Sequence, residues 1–464
     1  MSGQVTPFRF AVLLIPAALC AQPAAAPGDV TFTKDVAPIL QRSCQQCHHA
    51  NGVAPMSLVT YEEVRPWARA IKARITVGPH GGLMPPFFVE HDIGIQKFKD
   101  DPSLSDDEIA RVVKWVNAGA PRGNPADMPK ALNFEESDKW TIGEPDLVVK
   151  SKEITVPATG PDQWGDTGSI PTGLTEDRYV SALEVREIND VPKSGPVKTV
   201  GGRFVFHHMN YTSSSPSGQS TTWPIHEVGR NADLFPPEAG RLLAAGSVLE
   251  LAAGHIHPNG RETKSHLEFA FKFFPKGYQP IYKKSNIILG NGVDLDVKPN
   301  TGKQELHSYA TLTEHTKIIA FEPHLHAPGV RMCLEAIWGL NVQTLSCVGY
   351  DHNWVKQYVY DDDAAPLLPK GTIVHLVGFL DTTPANKNPA DERNWAGGGR
   401  RSIANMFIDL GYSVSLTEEQ FQAEMAKRRA KMKNRNDFDI GCPLCWAPPT
   451  ETAKPVSTAG GQQN

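Results

Sequence analysis

The period of the hydrophobic pattern changes once along this chain, and that change constrains the fold more than any other feature. Up to about residue 121, apolar residues recur every three or four positions. "TFTKDVAPILQRSC" sets Val36, Ile39 and Leu40 on one helical face, and "TYEEVRPWARAIKARI" repeats Val64, Trp67, Ile71 and Ile75. "LSDDEIARVVKWVNAGAP" opens with a capping box, Ser105 and Glu108. It continues through Ile109, Val112, Val113 and Val116, and is stopped by Gly119 and Pro121. Beyond "GAPRGNPADMPKALN", rich in proline and small residues, the segments become short and strand-like: "DLVVKSKEITV", "RYVSALEV", "RFVFHHMNY", "SVLELAAGHIH". The 38 prolines and 39 glycines suit the turns that such segments require. No helical pattern returns until "LTEEQFQAEMAKRRAKMK" near the end. A chain of 464 residues organised this way is multidomain, α plus all-β. A small helical unit comes first, followed by a β region better divided between two sandwiches than held in one.

The first residues read as an export signal over 1–26: Arg9, then the apolar "FAVLLIPAALCA", then small residues. That run is short for a bilayer and is interrupted by Pro16, so the mature chain is expected to have no membrane span. Cys20 follows Leu19, where a lipid-attachment motif wants a small residue. A periplasmic or secreted protein is therefore expected, in a compartment where disulfides persist. A net charge of −5 gives no reason to expect a nucleic-acid partner. The expected divisions are a helical domain over 29–125, a linker over 126–145, a first β-sandwich over 146–275 and a second over 276–446 with its C-terminal helix. A disordered tail over 447–464 completes the chain.

In "CQQCHH" the spacing C-x-x-C-H is that of haem c attachment. Cys44 and Cys47 would carry the thioether bonds of one covalent haem, and His48 would be the proximal iron ligand. His49 adjoins that ligand and cannot easily reach the opposite haem face. A second axial ligand is expected from "HGGLMPPFF", where glycines free the approach and Pro85 and Pro86 stiffen the exit. Met84 is the candidate and His80 its rival; Met56 suits core packing better. Helix, haem loop, helix, ligand loop and closing helix is a layout that resembles a class I cytochrome c.

The β region carries a second constellation: His207 and His208 in "FHHMNY", His255 and His257 in "AGHIHPNG", His324 and His326 in "EPHLHAPG", and Met406 in "RRSIANMFIDLGY". Imidazole suits zinc, copper and iron, and a thioether favours copper, particularly Cu(I). Alternate residues of a strand share a face, so His324 and His326 are placed to hold one ion, which Met406 from another strand would close. His207 and His208 are adjacent, and a regular strand would point them apart. They share a metal only if the strand ends or bulges there.

This ordered set resembles the type II copper, ascorbate-dependent monooxygenases, the family of peptidylglycine alpha-hydroxylating and dopamine beta-monooxygenases. The resemblance spans roughly residues 146–415 and is carried by the ligand pattern. It implies two consecutive jelly-roll β-sandwiches, each with one copper, facing each other across a cleft. His207, His208 and His255 would form the electron-transfer copper site, with His257 the alternative to His255. His324, His326 and Met406 would form the oxygen-activating, catalytic site. Two departures matter. The arginine that binds substrate carboxylate in the peptide-amidating members is Glu322 here, and the Asn and Tyr after the ligand methionine are Ile408 and Leu410. A peptide C-terminus is thus not a supported substrate. The whole chain more closely resembles bacterial fusions of a cytochrome c with such a module. The expected activity is copper-dependent monooxygenation of a small organic substrate with O2. The haem, in turn served by a redox partner or small reductant, would supply electrons. The alternative is a non-catalytic electron-transfer or copper-binding protein.

Of the other cysteines, Cys333 and Cys347 flank "LEAIWGLNVQTLS", which reads as a hairpin, and a disulfide is expected between them. "CPLCW" lacks the histidine of a haem site, and a local Cys442–Cys445 disulfide is expected. The basic run "KRRAKMKNR" reads as a solvated helix face. His226, His266, His307, His315, His352 and His375 have no spacing to recommend them.

Overall fold

The computed structural model describes residues 30–445, apart from 51, 53, 55, 77–82, 135–138, 193–202, 228–231, 286, 288, 353, 390–397, 399–403, 432–440 and 443–444. The expected signal peptide, the rival ligand His80 and the expected tail lie outside the described residues.

The N-terminal helices form around a core of their own: Phe32, Val36, Leu40, Leu58, Val64, Ile71, Ile75, Val112 and Trp115. Helix Asp106–Asn117 begins at the expected capping box. Ser105 accepts from the Glu108 backbone while the Glu108 carboxylate accepts from Ser105, satisfying amides that the first turn leaves open. Trp67, expected on the inner face, is 44% exposed. Pro66 turns Arg65–Trp67 into a 3-10 segment, and the tighter winding rotates Trp67 out of phase with Val64 and Ile71. Trp115 takes the central position instead, fully buried and donating its indole N–H to the Pro121 carbonyl at 3.0 Å.

The stretch between these helices departs from a self-contained unit over 29–125. Strand Val89–Gly94 pairs antiparallel with Asn341–Gly349, Val89 opposite Val348, and so forms the edge of a sheet built by the far end of the chain. Phe87, Val89, Ile95 and Phe98 pack into that sheet's core, and Glu90 accepts from Arg331 at 3.0 Å. Gly94 closes the strand at φ +66, where an added Cβ would lie 2.3 Å from the Leu345 carbonyl.

Among the described residues, strands and turns carry the chain from Leu147 to Leu416. They form several sheets, arranged as two sandwich-like layers with separate cores. In the first, Arg178–Asn189 pairs with Thr263–Phe273, and Phe206–Ser214 pairs with Val248–Ile256. Val180, Leu183, Leu267 and Phe269 of one sheet meet Phe206, Met209, Tyr211, Leu249 and Leu251 of the other. In the second, Gly329–Trp338 lies between Asn341–Gly349 and Ile373–Leu380, and its inner face meets Ile318, Phe321 and Phe407 from the opposing strands. Cys333 and Cys347 stand directly opposite each other in that hairpin and are disulfide-bonded; Cys442 and Cys445 form a second disulfide.

Helix Glu418–Lys431 follows a second reciprocal cap, between Thr417 and Gln420. Its basic face is only partly solvated: Arg428 donates to the Ala365 carbonyl, Arg429 to the Cys445 carbonyl, and Lys431 pairs with Asp363. The two sandwiches touch at Arg241, which lies over the rings of both Phe235 and Tyr412, while Tyr412 donates its hydroxyl to the Ala239 carbonyl at 3.0 Å. No helix among the described residues is long and apolar enough to cross a membrane.

Candidate metal centre

Phe206–Ser214 is not a regular strand at the histidine pair. His208 faces His255 across the ladder, yet Phe206, two residues earlier, faces Ile256, one residue later. His207 is therefore the extra residue of a β-bulge, which re-aims a side chain that regular pleating would turn to the other face. Phe206 and Met209 remain in the core, and both imidazoles lie outside it. His207, His208 and His255 each bring a ring nitrogen to within 4.8 Å of the others, with ring centroids 4.8 to 5.8 Å apart.

The supporting shell comes from a segment that no sequence pattern marked. Asp162 holds His255 Nε2 at 2.7 Å, and Trp164, paired with His255 in the sheet, stacks on its ring at 3.5 Å. With Nε2 committed to the carboxylate, His255 presents Nδ1, the arrangement by which a carboxylate orients a metal-binding imidazole. The Nδ1 atoms of His255 and His207 are buried and have no hydrogen-bond partner among the described residues. Burial, then the neighbouring imidazoles of His255 and His257, pushes His207 down to about 3. Burial likewise holds His208 well below the ordinary value. Both are neutral at physiological pH, the form that binds a metal. His257 stands apart: the strand ends at Ile256, and its ring centroid is 6.0 Å from His207 and 6.4 Å from His255.

The His-x-His stretch is not the continuous strand expected of it. The strand covers only Pro323–His324, and His326 sits in the following turn at φ +61, a left-handed conformation costly for a side chain with a Cβ. The turn nonetheless brings the two buried rings to 4.8 Å. His326 donates Nδ1–H to the Ala404 carbonyl at 3.0 Å, which leaves Nε2 as its acceptor nitrogen. His324 Nδ1 is buried with no partner among the described residues. Met406 donates its backbone N–H to the Leu325 carbonyl at 3.4 Å and so lies alongside the His-x-His turn; the next strand, Phe407–Asp409, sets Ile408 opposite His324. Glu322 turns inward: it is buried, and Gln357 donates to its carboxylate at 2.7 Å.

The two imidazole groups are close enough to sense each other. His208 is depressed by burial first, and then by the charges of His207, His255, His324 and His352. In the His207 group the converging nitrogens and the neutral rings fit a soft or borderline metal ion.

In the helical unit, Cys44 and Cys47 are free thiols on one turn, and burial pushes Cys44 up to about 12. His48 donates Nδ1–H to the Met56 carbonyl at 3.1 Å, leaving Nε2 available, a donor set that fits covalent haem. His49 is occupied elsewhere, stacked on Phe134 at 4.3 Å and bonded to the Gln45 carbonyl at 2.8 Å. Met84 is 43% exposed, on the segment that leads into the edge strand.

No family model matches the chain, and no curated protein is similar to it. Among solved structures, a putative alpha-L-fucosidase from Bacteroides ovatus is 10% identical with a TM-score of 0.14; the alignment covers 67% of this chain and 44% of that one. This chain thus spans less than half the length of that neighbour. An oxalate decarboxylase of B. subtilis, in a variant with one tryptophan replaced by phenylalanine, is 9% identical with a TM-score of 0.09, over 56% of this chain and 86% of that one. Similarities at this level define neither fold nor activity for this chain.

Proposed function

We propose that this protein is an exported oxidoreductase dependent on haem c and copper, a monooxygenase that hydroxylates a small organic substrate with O2. The observation that carries the reading is the bulge at His207, which gathers two adjacent histidines and the cross-strand His255, with the Nδ1 atoms of His207 and His255 buried and unpartnered among the described residues. Copper in the two groups would supply one-electron chemistry toward dioxygen, and haem on Cys44 and Cys47 would supply the electrons. The chain's own residues prepare both. Asp162 fixes the tautomer and direction of His255, the Ala404 carbonyl does the same for His326, and burial keeps His207, His208 and His324 unprotonated. Met406, whose backbone N–H reaches the Leu325 carbonyl beside the His-x-His turn, would add a thioether to the catalytic group. Two disulfides support an exported chain.

One observation favours a second reading, a copper-binding electron carrier without catalysis. Glu322 stands where a substrate-binding arginine would be expected, and its hydrogen bond to Gln357 commits it to the protein interior. Metal and haem analysis of the purified protein, followed by dioxygen uptake against a panel of small organic substrates, separates the two. Uptake that depends on substrate and on copper supports the monooxygenase. Copper and haem without uptake selects the carrier, and absence of copper overturns both.

A further inference from the structure

The helical unit does not enclose the candidate haem site alone. Three residues beyond Met84, Phe87 packs on Tyr358 of the second sandwich, with ring centroids 5.1 Å apart at 77°. Phe88 fixes the junction from both sides. Its backbone N–H donates to the Tyr358 hydroxyl at 3.3 Å, and its carbonyl accepts from the Gly349 N–H at 2.8 Å. Lys99 continues the seam: its backbone N–H donates to the Val359 carbonyl at 2.8 Å, and its ammonium pairs with Asp362 at 2.7 Å. Residues 355–360 of the second sandwich therefore lie along the segment that leads out of Met84.

Lys356 belongs to that stretch. On one side of it Val355 is buried, and on the other Gln357 donates to Glu322 at 2.7 Å, so both neighbours are committed to the sandwich. The Lys356 ammonium stands 5.6 Å from the centroid of the Phe87 ring, within the range of a cation–π contact. Its charge also reaches the attachment loop. Burial raises the Cys47 thiol, and the Lys356 ammonium pulls it in the opposite direction. One cation from the far end of the chain thus bears on both flanks of the site, the loop of Cys47 and the segment of Met84. Lys356 is half-buried, so water and salt screen it less than they screen an exposed charge. Reduction removes a positive charge from a haem iron, and a cation held nearby favours the reduced form.

We infer that Lys356, supplied by the second sandwich, raises the reduction potential of a haem held on Cys44 and Cys47. The inference rests on the haem reading above. It makes electron supply depend on how the two units are joined. With residues 355–360 against Phe87 and Phe88, the site takes its one electron from a small reductant or redox partner more readily than the helical unit would without that cation.

The test uses the full chain, made in a host that matures c-type cytochromes, with Lys356→Arg, Lys356→Gln and Lys356→Glu compared with wild type. Equal haem content and matching thermal melts establish that each variant is folded and loaded. The haem reduction equilibrium is then read by absorbance against a redox dye of fixed potential. Lys356→Gln should shift that equilibrium at least threefold toward oxidised haem, on the order of 30 mV at 59 mV per tenfold for one electron. Lys356→Glu should shift it further in the same direction, and Lys356→Arg, which keeps the charge, should stay close to wild type. A merely structural lysine would not grade the equilibrium by charge. An equilibrium unchanged in folded, haem-loaded Lys356→Gln and Lys356→Glu overturns the inference alone. A wild-type chain that acquires no covalent haem in that host overturns the inference together with the haem reading it rests on.

Discussion

Glu187 offers a direct way to test whether the bulge assembles the candidate metal site. It is buried in strand Arg178–Asn189, and its carboxylate accepts from the backbone N–H of Val205 at 2.9 Å and of Phe206 at 2.8 Å, immediately before His207. Asn189 and Ser265 also donate to it. Burial raises its carboxyl above the ordinary range, against the pull of these hydrogen bonds. In Glu187→Ala, Asn189 retains the Arg203 carbonyl and Ser265 retains the Ile188 carbonyl. The Val205 and Phe206 amides, both in fully buried residues, are left without the carboxylate that received them. Each orphaned donor costs about 1–3 kcal/mol, so the local penalty is about 2–6 kcal/mol. Glu187→Gln keeps one acceptor oxygen and should lose about half of that. In a multidomain chain a single global unfolding energy is poorly defined, so the assay is amide hydrogen exchange over residues 204–209. Exchange there should accelerate on the order of 30-fold or more in Glu187→Ala, with weakened copper binding by the His207 group. Protection in that segment within threefold of wild type, with unchanged copper affinity, would refute the claim that Glu187 pins the bulge.

Further outcomes are expected. In metal-free protein, His207 is depressed from 6.5 to about 3 and His352 to about 4, so the folded state binds fewer protons than the unfolded one. Stability is therefore full above pH 6.5 and is lost as pH falls from there toward those values; melts from pH 7.5 to 5 should show the decline, and His207→Gln should flatten it. Gly378→Ala would put a Cβ 2.7 Å from the Phe407 ring, on the strand next to Met406, and should destabilise the second sandwich by about 1–3 kcal/mol in denaturant titration. Replacing Cys333 and Cys347 together by serine opens a loop of sequence separation 14 and should cost about 2–3 kcal/mol, read as a lower melting temperature under oxidising conditions.

What the sequence made legible was local. The Ser105–Glu108 cap, the strand segments and the Cys333–Cys347 hairpin all follow from residues near one another in the chain. Where the physics involved a distant partner, the sequence was silent. The bulge at His207 is set by register against Ile256 and His255, so the sequence could state only the condition under which two adjacent histidines meet. Asp162 reaches His255 across 93 positions, with no spacing to mark it. His326 meets His324 by a left-handed turn rather than by strand alternation, a case where the right pairing was expected for a different geometric reason. Trp67 failed locally, because Pro66 changes the winding that the apolar spacing assumed.

The edge strand Val89–Gly94 also sets a timetable. Its partner, around Val348, is synthesised about 260 residues later, which at 5–20 residues per second is a delay of roughly 15–50 s. Throughout that interval Phe87, Val89, Ile95 and Phe98 have no core to enter, and the backbone of the strand is an open template for any other extended chain. The helices on either side are able to form early from their own contacts, and Leu83 and Met84 are tied to the Arg74 carbonyl, but strand Val89–Gly94 is not anchored until the last sandwich closes. The nascent protein therefore needs a holding chaperone more than its helical start would suggest, and a fragment cut after the first sandwich would carry a permanently sticky edge.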